Sequence, residues 1–188
     1  NINTAYNSIR NEFNKDLLLK WEEGKTGIPI IDACMRCLNE TGYLNFRMRA
    51  MIVSFAAFNL WQNWKNFSHF LARKFLDYEP GIHYSQIQMQ SAVTGINTVR
   101  IYNPIKNSIL LDPEGKFIKK WVSELKTVPK EYIHEPWKMT KIEQEMYNFS
   151  IIDNYFSPII DIEKSRKNAS EKIWKIRKGS KSIIHAKK

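Results

Sequence analysis

Apolar positions along the chain recur at the spacing of α-helices and almost nowhere with the two-residue alternation of strands. The first such segment, residues 16–23, closes at Gly24. The loop Lys25-Thr26-Gly27 then leads to Pro29, placed where a first-turn proline belongs. From there Ile30, Ile31, Ala33, Cys34, Cys37 and Leu38 form one apolar face, and Thr41-Gly42 ends the helix. The pattern next predicts a long helix over residues 44–64. Its stretch 50–58 is apolar on nearly every side, which places it at the centre of the core. Further helices are expected over 68–77, on Phe117, Ile118, Trp121, Val122 and Leu125, over 140–146, and over 162–178.

Residues 78–112 interrupt this regularity. They are rich in Gly, Pro, Gln, Asn and Tyr and show no sustained period, so an irregular, functional segment is expected. Its aromatic and β-branched residues, among them Tyr84, Ile87, Val93, Val99 and Tyr102, argue for order. Asp112-Pro113-Glu114-Gly115 reads as a turn or helix start. With no internal repeat, low-complexity tract or alternating strands, the class is all-α.

Composition narrows the picture. A chain of 188 residues, 43% hydrophobic and 26% charged, fits one soluble globular domain spanning residues 1–188 and excludes a mostly disordered chain. The net charge of +10 suits nucleic acid, an anionic membrane or acidic ligands. Its distribution is uneven: residues 163–188 hold ten Lys/Arg and two Asp/Glu, leaving 1–162 with nineteen and seventeen, so the body is close to neutral. No run approaches ~18 apolar residues and the first ten resemble no signal peptide, so the chain reads as cytoplasmic, or nuclear or organellar, and not secreted. It begins with Asn, from which further upstream polypeptide is expected. Cys34 and Cys37 form a C-x-x-C inside a helix with no third cysteine, which reads as two ordinary thiols and no metal site.

One set of motifs is far more specific. Trp21-Glu22-Glu23-Gly24-Lys25-Thr26-Gly27, Asp32-Ala33, Thr41-Gly42-Tyr43 and Arg47-Met48-Arg49 come first. Leu76-Asp77-Tyr78-Glu79, Thr94-Gly95, Arg100-Ile101-Tyr102-Asn103-Pro104, Asp112-Pro113-Glu114-Gly115 and His134-Glu135-Pro136-Trp137 follow in order. Together they resemble the C-terminal part of the flavin-binding helical domain of the DNA photolyase/cryptochrome family, over about residues 20–180. The resemblance implies a multi-helical orthogonal bundle, FAD as cofactor and light-driven electron transfer. In repair members the electron goes to an ultraviolet photoproduct in DNA; in cryptochromes the photochemistry serves signalling. It also implies an upstream antenna domain and an upstream phosphate-binding segment.

Residue by residue, the resemblance places Phe46, Arg49, Asp77, Tyr78, Glu79 and His83 at the flavin. Arg47, Arg100, Met89 and Gln90 fall at DNA, and Trp64 with Trp61 serves electron transfer. A guanidinium forked onto a carboxylate makes chemical sense for Arg49 and Asp77 beside a flat apolar ring, and a plain helix-to-helix ion pair is the alternative. Arg47 and Arg49 lie about 200° apart on a helix, so they face different targets. Arg100 resembles a phosphate contact, with a loop-to-core hydrogen bond as its alternative. Four positions depart from the family pattern. Phe46 stands for an Asn and Ala50 for a Met, both near the lesion. His83 stands for the Asn opposite flavin N5, unless it points into the core. Of the usual tryptophan chain only Trp64 is present: the flavin-proximal position falls in residues 87–90, none aromatic, and the distal one near Asn11. On a straight helix Trp64 would lie roughly 22 Å from Arg49 at ~1.5 Å per residue, with Trp61, Phe58 or Tyr84 as alternative steps.

The leading expectation is therefore a DNA photolyase-like repair enzyme, a carbon–carbon lyase when whole. The alternatives are a cryptochrome-type photoreceptor without repair activity and a flavin-free basic helical module binding nucleic acid or protein.

Overall fold

A computed structural model describes residues 6, 9–11, 13–95 and 97–178. The far end of the basic tail, 179–188, lies outside the described residues. Nine α-helices and no strand occur among them: α1 Lys15–Glu22, α2 Pro29–Thr41, α3 Phe46–Ser54, α4 Trp64–Lys74, α5 Pro80–Gln90, α6 Pro104–Leu111, α7 Lys116–Trp121, α8 Lys141–Met146 and α9 Ile162–Lys178. The all-α expectation holds.

α2 is the hub. Proline opens it, Gly42 at φ 69° closes it with its N–H on the Leu38 carbonyl, and most of its residues are buried. It packs against α1, α3, α6 and α7. Fully burying a side chain such as Ile30, Ile31 or Leu38 contributes about 1.5–3 kcal/mol. Trp21, in the last turn of α1, reaches Phe67 of α4 edge to face at 5.6 Å, which ties the first helix to the fourth.

The loop before α2 is held by one carboxylate. Asp32, completely buried, accepts from Thr26 N (2.7 Å) and Thr26 Oγ1 (2.6 Å) on one oxygen, and from Gly27 N (3.0 Å) and the Tyr155 hydroxyl (2.5 Å) on the other. Burial pushes this carboxyl up to about 6 against the opposite pull of its four donors. Arg36, one turn on, pairs with Glu124 at 2.7 Å.

Three expectations need correction. The helix expected over 44–64 ends at Ser54. It passes into a wider π turn, Phe55–Asn59, whose last bond runs from Leu60 N to Phe55 O at 3.0 Å. Trp61 then takes φ 54°, and Asn63 caps a new helix by accepting from Lys65 N, so α4 starts at Trp64 instead of near Ser68. Residues 78–112 are largely helical. Glu79 and Asn103 each cap a helix whose first residue is a proline. The helix expected through Leu125 stops at Trp121, followed by a short 3₁₀ turn at Ser123–Leu125. The expected helices over 140–146 and 162–178 are α8, opened by a Thr140/Glu143 capping box, and α9.

α4 returns toward the start of α3: Leu76 N donates to Gly42 O at 3.1 Å. α5 then packs against both α3 and α4. Arg10 stitches the N-terminal segment to the π turn through Nε to Ala57 O (2.7 Å) and stacks over Phe58 and Trp61. Among the described residues no helix is long and apolar enough to cross a membrane, and no cluster of His, Cys, Asp or Glu could hold a metal ion. Both cysteines are free and buried, and burial holds the Cys34 thiol well above its ordinary value.

Candidate functional site

The convergence of α3, α4 and α5 builds a charged rim around an apolar hollow. Asn45 caps α3, accepting from Met48 N at 3.0 Å, and so sets the direction in which Arg49 leaves the first turn. The Arg49 guanidinium forks onto Asp77, Nη1 to Oδ1 at 3.0 Å and Nη2 to Oδ2 at 2.9 Å, while its Nε donates to Leu44 O at 2.6 Å. It lies 4.3 Å over the Phe75 ring and 5.4 Å from that of Tyr43. The fork holds the Asp77 carboxyl below the usual carboxylate range. The Asp77 side chain nevertheless stays 57% exposed, so this is a rim pair.

Below the rim lies a cavity of about 200 Å³, walled by Phe46, Arg49, Ala50 and Val53 of α3, Leu71 and Phe75 from α4 and its end, and one face of α5. That face is Ile82, His83, Gln86, Ile87 and Gln90, at helical spacing. Gln86 Oε1 is buried and has no hydrogen-bond partner. Ligand cavities usually enclose about 300–1,000 Å³, so this one is too small to enclose a whole dinucleotide. A second cavity of about 260 Å³, lined by Met89, Gln90, Asn97, Thr98 and Arg100, shares Gln90 as a wall.

The structure thus brings Phe46, Arg49, His83 and Gln90 to one cavity, and Met89, Gln90 and Arg100 to the next. Asp77 joins through Arg49. Tyr78 stands at the rim, its ring 5.2 Å from that of His83. Glu79 is exposed and uses Oε1 to cap α5, accepting from Gly81 N at 3.3 Å. Arg47 is exposed on α3, away from the buried Met48. The His83 Nε2 lies 2.9 Å from Ser68 O and donates to that carbonyl, which leaves Nδ1 as an acceptor. Burial lowers its pKa below the ordinary 6.5, so the ring is neutral at pH 7.

The two tryptophans stand apart. Trp64 meets Tyr84 edge to face at 6.5 Å. Trp61 is flanked by the Arg10 guanidinium at 4.8 Å and Lys172 Nζ at 4.6 Å. At an effective dielectric of about 20, the buried Arg10 charge alone opposes a positive hole on Trp61 by roughly 3 kcal/mol. Arg10 stays charged at neutral pH even though burial lowers its pKa to about 9. Sequence reasoning missed Phe75, Ser68, Leu71 and Gln86. For Gln86 the signal was present in the spacing of 82, 83, 86, 87 and 90, masked by the polarity of the face.

A fork-paired guanidinium over an aromatic ring, an apolar slot and an unsatisfied carboxamide oxygen suit a flat heteroaromatic ring with a hydrogen-bonding edge. The family profile described as the FAD binding domain of DNA photolyase matches residues 1–175. The chain belongs to the photolyase/cryptochrome family. It is 36% identical over 168 residues to a deoxyribodipyrimidine photo-lyase of Alkalihalophilus pseudofirmus, covering 88% of this chain and 35% of that protein. With Cryptochrome-1 of Drosophila melanogaster it shares 34% identity over 159 residues, 82% of this chain and 29% of the relative. Among solved structures, an archaeal photolyase from Sulfolobus tokodaii with two FAD molecules superposes with a TM-score of 0.80 at 36% identity, covering 90% of this chain and 37% of that one. A bacterial class III photolyase from Agrobacterium tumefaciens reaches a TM-score of 0.84 at 26% identity, covering 95% and 38%. The chain therefore spans about a third of the length of these relatives. The cofactor of the family domain is FAD.

Proposed function

We propose that the whole polypeptide is a light-driven flavin enzyme that splits an ultraviolet photoproduct in DNA, with these 188 residues supplying one wall of its flavin cavity. The observation that carries the reading is the Arg49–Asp77 fork at the mouth of the α3–α4–α5 hollow, beside a second cavity that shares Gln90 and bears Arg100.

Bound FAD supplies an excited-state electron donor. The chain's own residues hold and shield it. Arg49 keeps a positive charge at the rim, with Asp77 fixing its plane and Phe75 supporting its face. Val53, Leu71 and Ile87 exclude water from the slot. Neutral His83 keeps Nδ1 as an acceptor, and the open Gln86 oxygen would accept from a ring N–H of the bound group. Arg47 on the exposed side of α3 and Arg100 in the neighbouring cavity would meet backbone phosphates, which position a duplex without reading its sequence. The second reading, a photoreceptor, draws support from Phe46, which is 63% exposed and cannot hydrogen-bond a pyrimidine, and from Ala50.

The deciding assay gives the whole FAD-loaded polypeptide DNA containing pyrimidine dimers under blue light. Dimer loss from the fully reduced flavin is expected. No repair, together with persistent light-induced flavin absorbance changes, would replace the enzyme reading with the receptor.

A further inference from the structure

Tyr84 occupies a singular position among the rings of this region. It follows His83 on α5, and the two rings meet edge to face at 5.1 Å; His83 in turn lines the α3–α4–α5 cavity. On its other side stands Trp64, at 6.5 Å. Its hydroxyl lies 3.2 Å from His69 Nδ1, on α4. We propose that Tyr84 is a redox-active tyrosine that passes one electron toward that cavity while its phenolic proton moves to His69.

The chemistry selects this ring. An oxidised phenol is a strong acid, so a tyrosine gives up an electron readily only where a base already holds its proton. His69 is exposed, and with Nε2 carrying hydrogen its Nδ1 accepts from Tyr84. Phe75 and the His83 imidazole are far harder to oxidise. Tyr78 also meets the His83 ring, yet the group that most affects its hydroxyl is the Tyr84 phenol, which is no base. Trp61 is opposed by the two cations beside it. Trp64 does not line the cavity, and the ring it meets is that of Tyr84.

The step balances with an oxidised flavin in its light-excited state as oxidant, and in that respect it rests on the flavin reading above. The Tyr84 O–H bond breaks, one electron goes to the flavin, and the proton forms an N–H bond at His69 Nδ1. The resulting imidazolium is at the surface, where water takes up its charge and then its proton. The phenoxyl radical remains on Tyr84.

The test uses the FAD-loaded whole polypeptide, flashed with blue light without external reductant and frozen for electron paramagnetic resonance. A tyrosyl signal that narrows with ring-deuterated tyrosine is expected. Tyr84→Phe should abolish it and slow flavin photoreduction at least tenfold. His69→Leu should cut its yield at least tenfold at unchanged FAD content, whereas Tyr147→Phe, just past the end of α8, should change nothing. An undiminished signal and rate in Tyr84→Phe overturn the proposal. So does a full radical yield in His69→Leu, or no tyrosyl signal in flavin-bearing protein. If the protein binds no flavin, that defeats the functional reading. The tyrosine is then decided with photo-oxidised tris(bipyridine)ruthenium, where loss of the His69-dependent signal on Tyr84→Phe supports the assignment and its persistence refutes it. Radical formation without dimer repair leaves this proposal standing and removes the repair reading.

Discussion

Gly27 offers the sharpest test of how the site's scaffold is held. Its φ of 74° is left-handed, which costs an alanine about 1–2 kcal/mol. A Cβ there would stand 2.4 Å from Ser157 O, 2.5 Å from Ser157 C and 2.7 Å from Pro158 N, all backbone atoms that cannot rotate away. The segment at 157–158 has to retreat by several tenths of an ångström or more, an overpacking cost of about 1–3 kcal/mol. Its retreat also strains the Ile159 N to Thr26 O bond (3.0 Å) and the Tyr155 hydroxyl on Asp32, each contributing about 1 kcal/mol. Gly27→Ala should therefore destabilise by about 3–5 kcal/mol, a shift of roughly 1.5–2.5 M in the urea midpoint for a slope near 2 kcal/mol/M. Gly81→Ala is the matched control. It sits in the first turn of α5 and meets nothing closer than the mobile end of Glu79 at 3.7 Å, so a gain of about 0.5–1 kcal/mol is expected. Urea unfolding followed by far-ultraviolet circular dichroism reads both. A Gly27→Ala midpoint within 0.5 M (about 1 kcal/mol at that slope) of the parent would refute the reasoning, as would a destabilising Gly81→Ala.

Three further outcomes are expected. Asp77→Asn should change unfolding free energy by no more than about 1 kcal/mol, since the pair is on the rim, yet weaken FAD retention by about tenfold or more, read by flavin absorbance after gel filtration; equal retention removes Asp77 from the site. The pKa of His83 is lowered on folding, so the unfolded chain takes up its proton first. This group's support is complete above pH 6.5 and lost as pH falls through and below that value, and His83→Phe should flatten the acid limb of the stability profile between pH 7.5 and 5.5. Arg47→Ala and Arg100→Ala should each lower the salt slope of binding to undamaged duplex by about one; an unchanged slope excludes that phosphate contact.

What the sequence made legible depended on whether apolar residues carried the signal. α2 was readable from both ends because Pro29 and Gly42 bracket an apolar face. α5 was not, because its working face alternates Ile82, His83, Gln86, Ile87 and Gln90, and half of that face is polar for the benefit of a cavity. Its start was nonetheless written in Glu79-Pro80, as that of α6 was in Asn103-Pro104: a capping side chain followed by a proline that begins a helix. Reading those prolines as loop punctuation hid both elements. The Arg49–Asp77 contact was legible only through family resemblance, since nothing local relates residues 28 positions apart. The role of Ser68 was illegible, because its contribution to His83 is a backbone carbonyl.

The most consequential misreading was the long helix. Residues 50–58 are apolar on every side, so periodicity has no means of marking where such a helix stops. A continuous helix would have carried Trp64 and everything after it away from Arg49. The chain instead widens into a π turn at Phe55–Asn59, reverses through Trp61 at φ 54°, and restarts on the Asn63 cap. The strained Trp61 backbone, a cost of order 1–3 kcal/mol, is offset by its ring being held between Arg10 and Lys172. The reversal brings the end of α4 back to Gly42 just before α3, which delivers Phe75 beneath the Arg49 guanidinium and Asp77 to its fork. It also sets Trp64 and His69 on one flank of α5, where Tyr84 meets both. Trp61 is thus the corner on which the site turns, and the same two cations that hold it there bar its ring from carrying a hole.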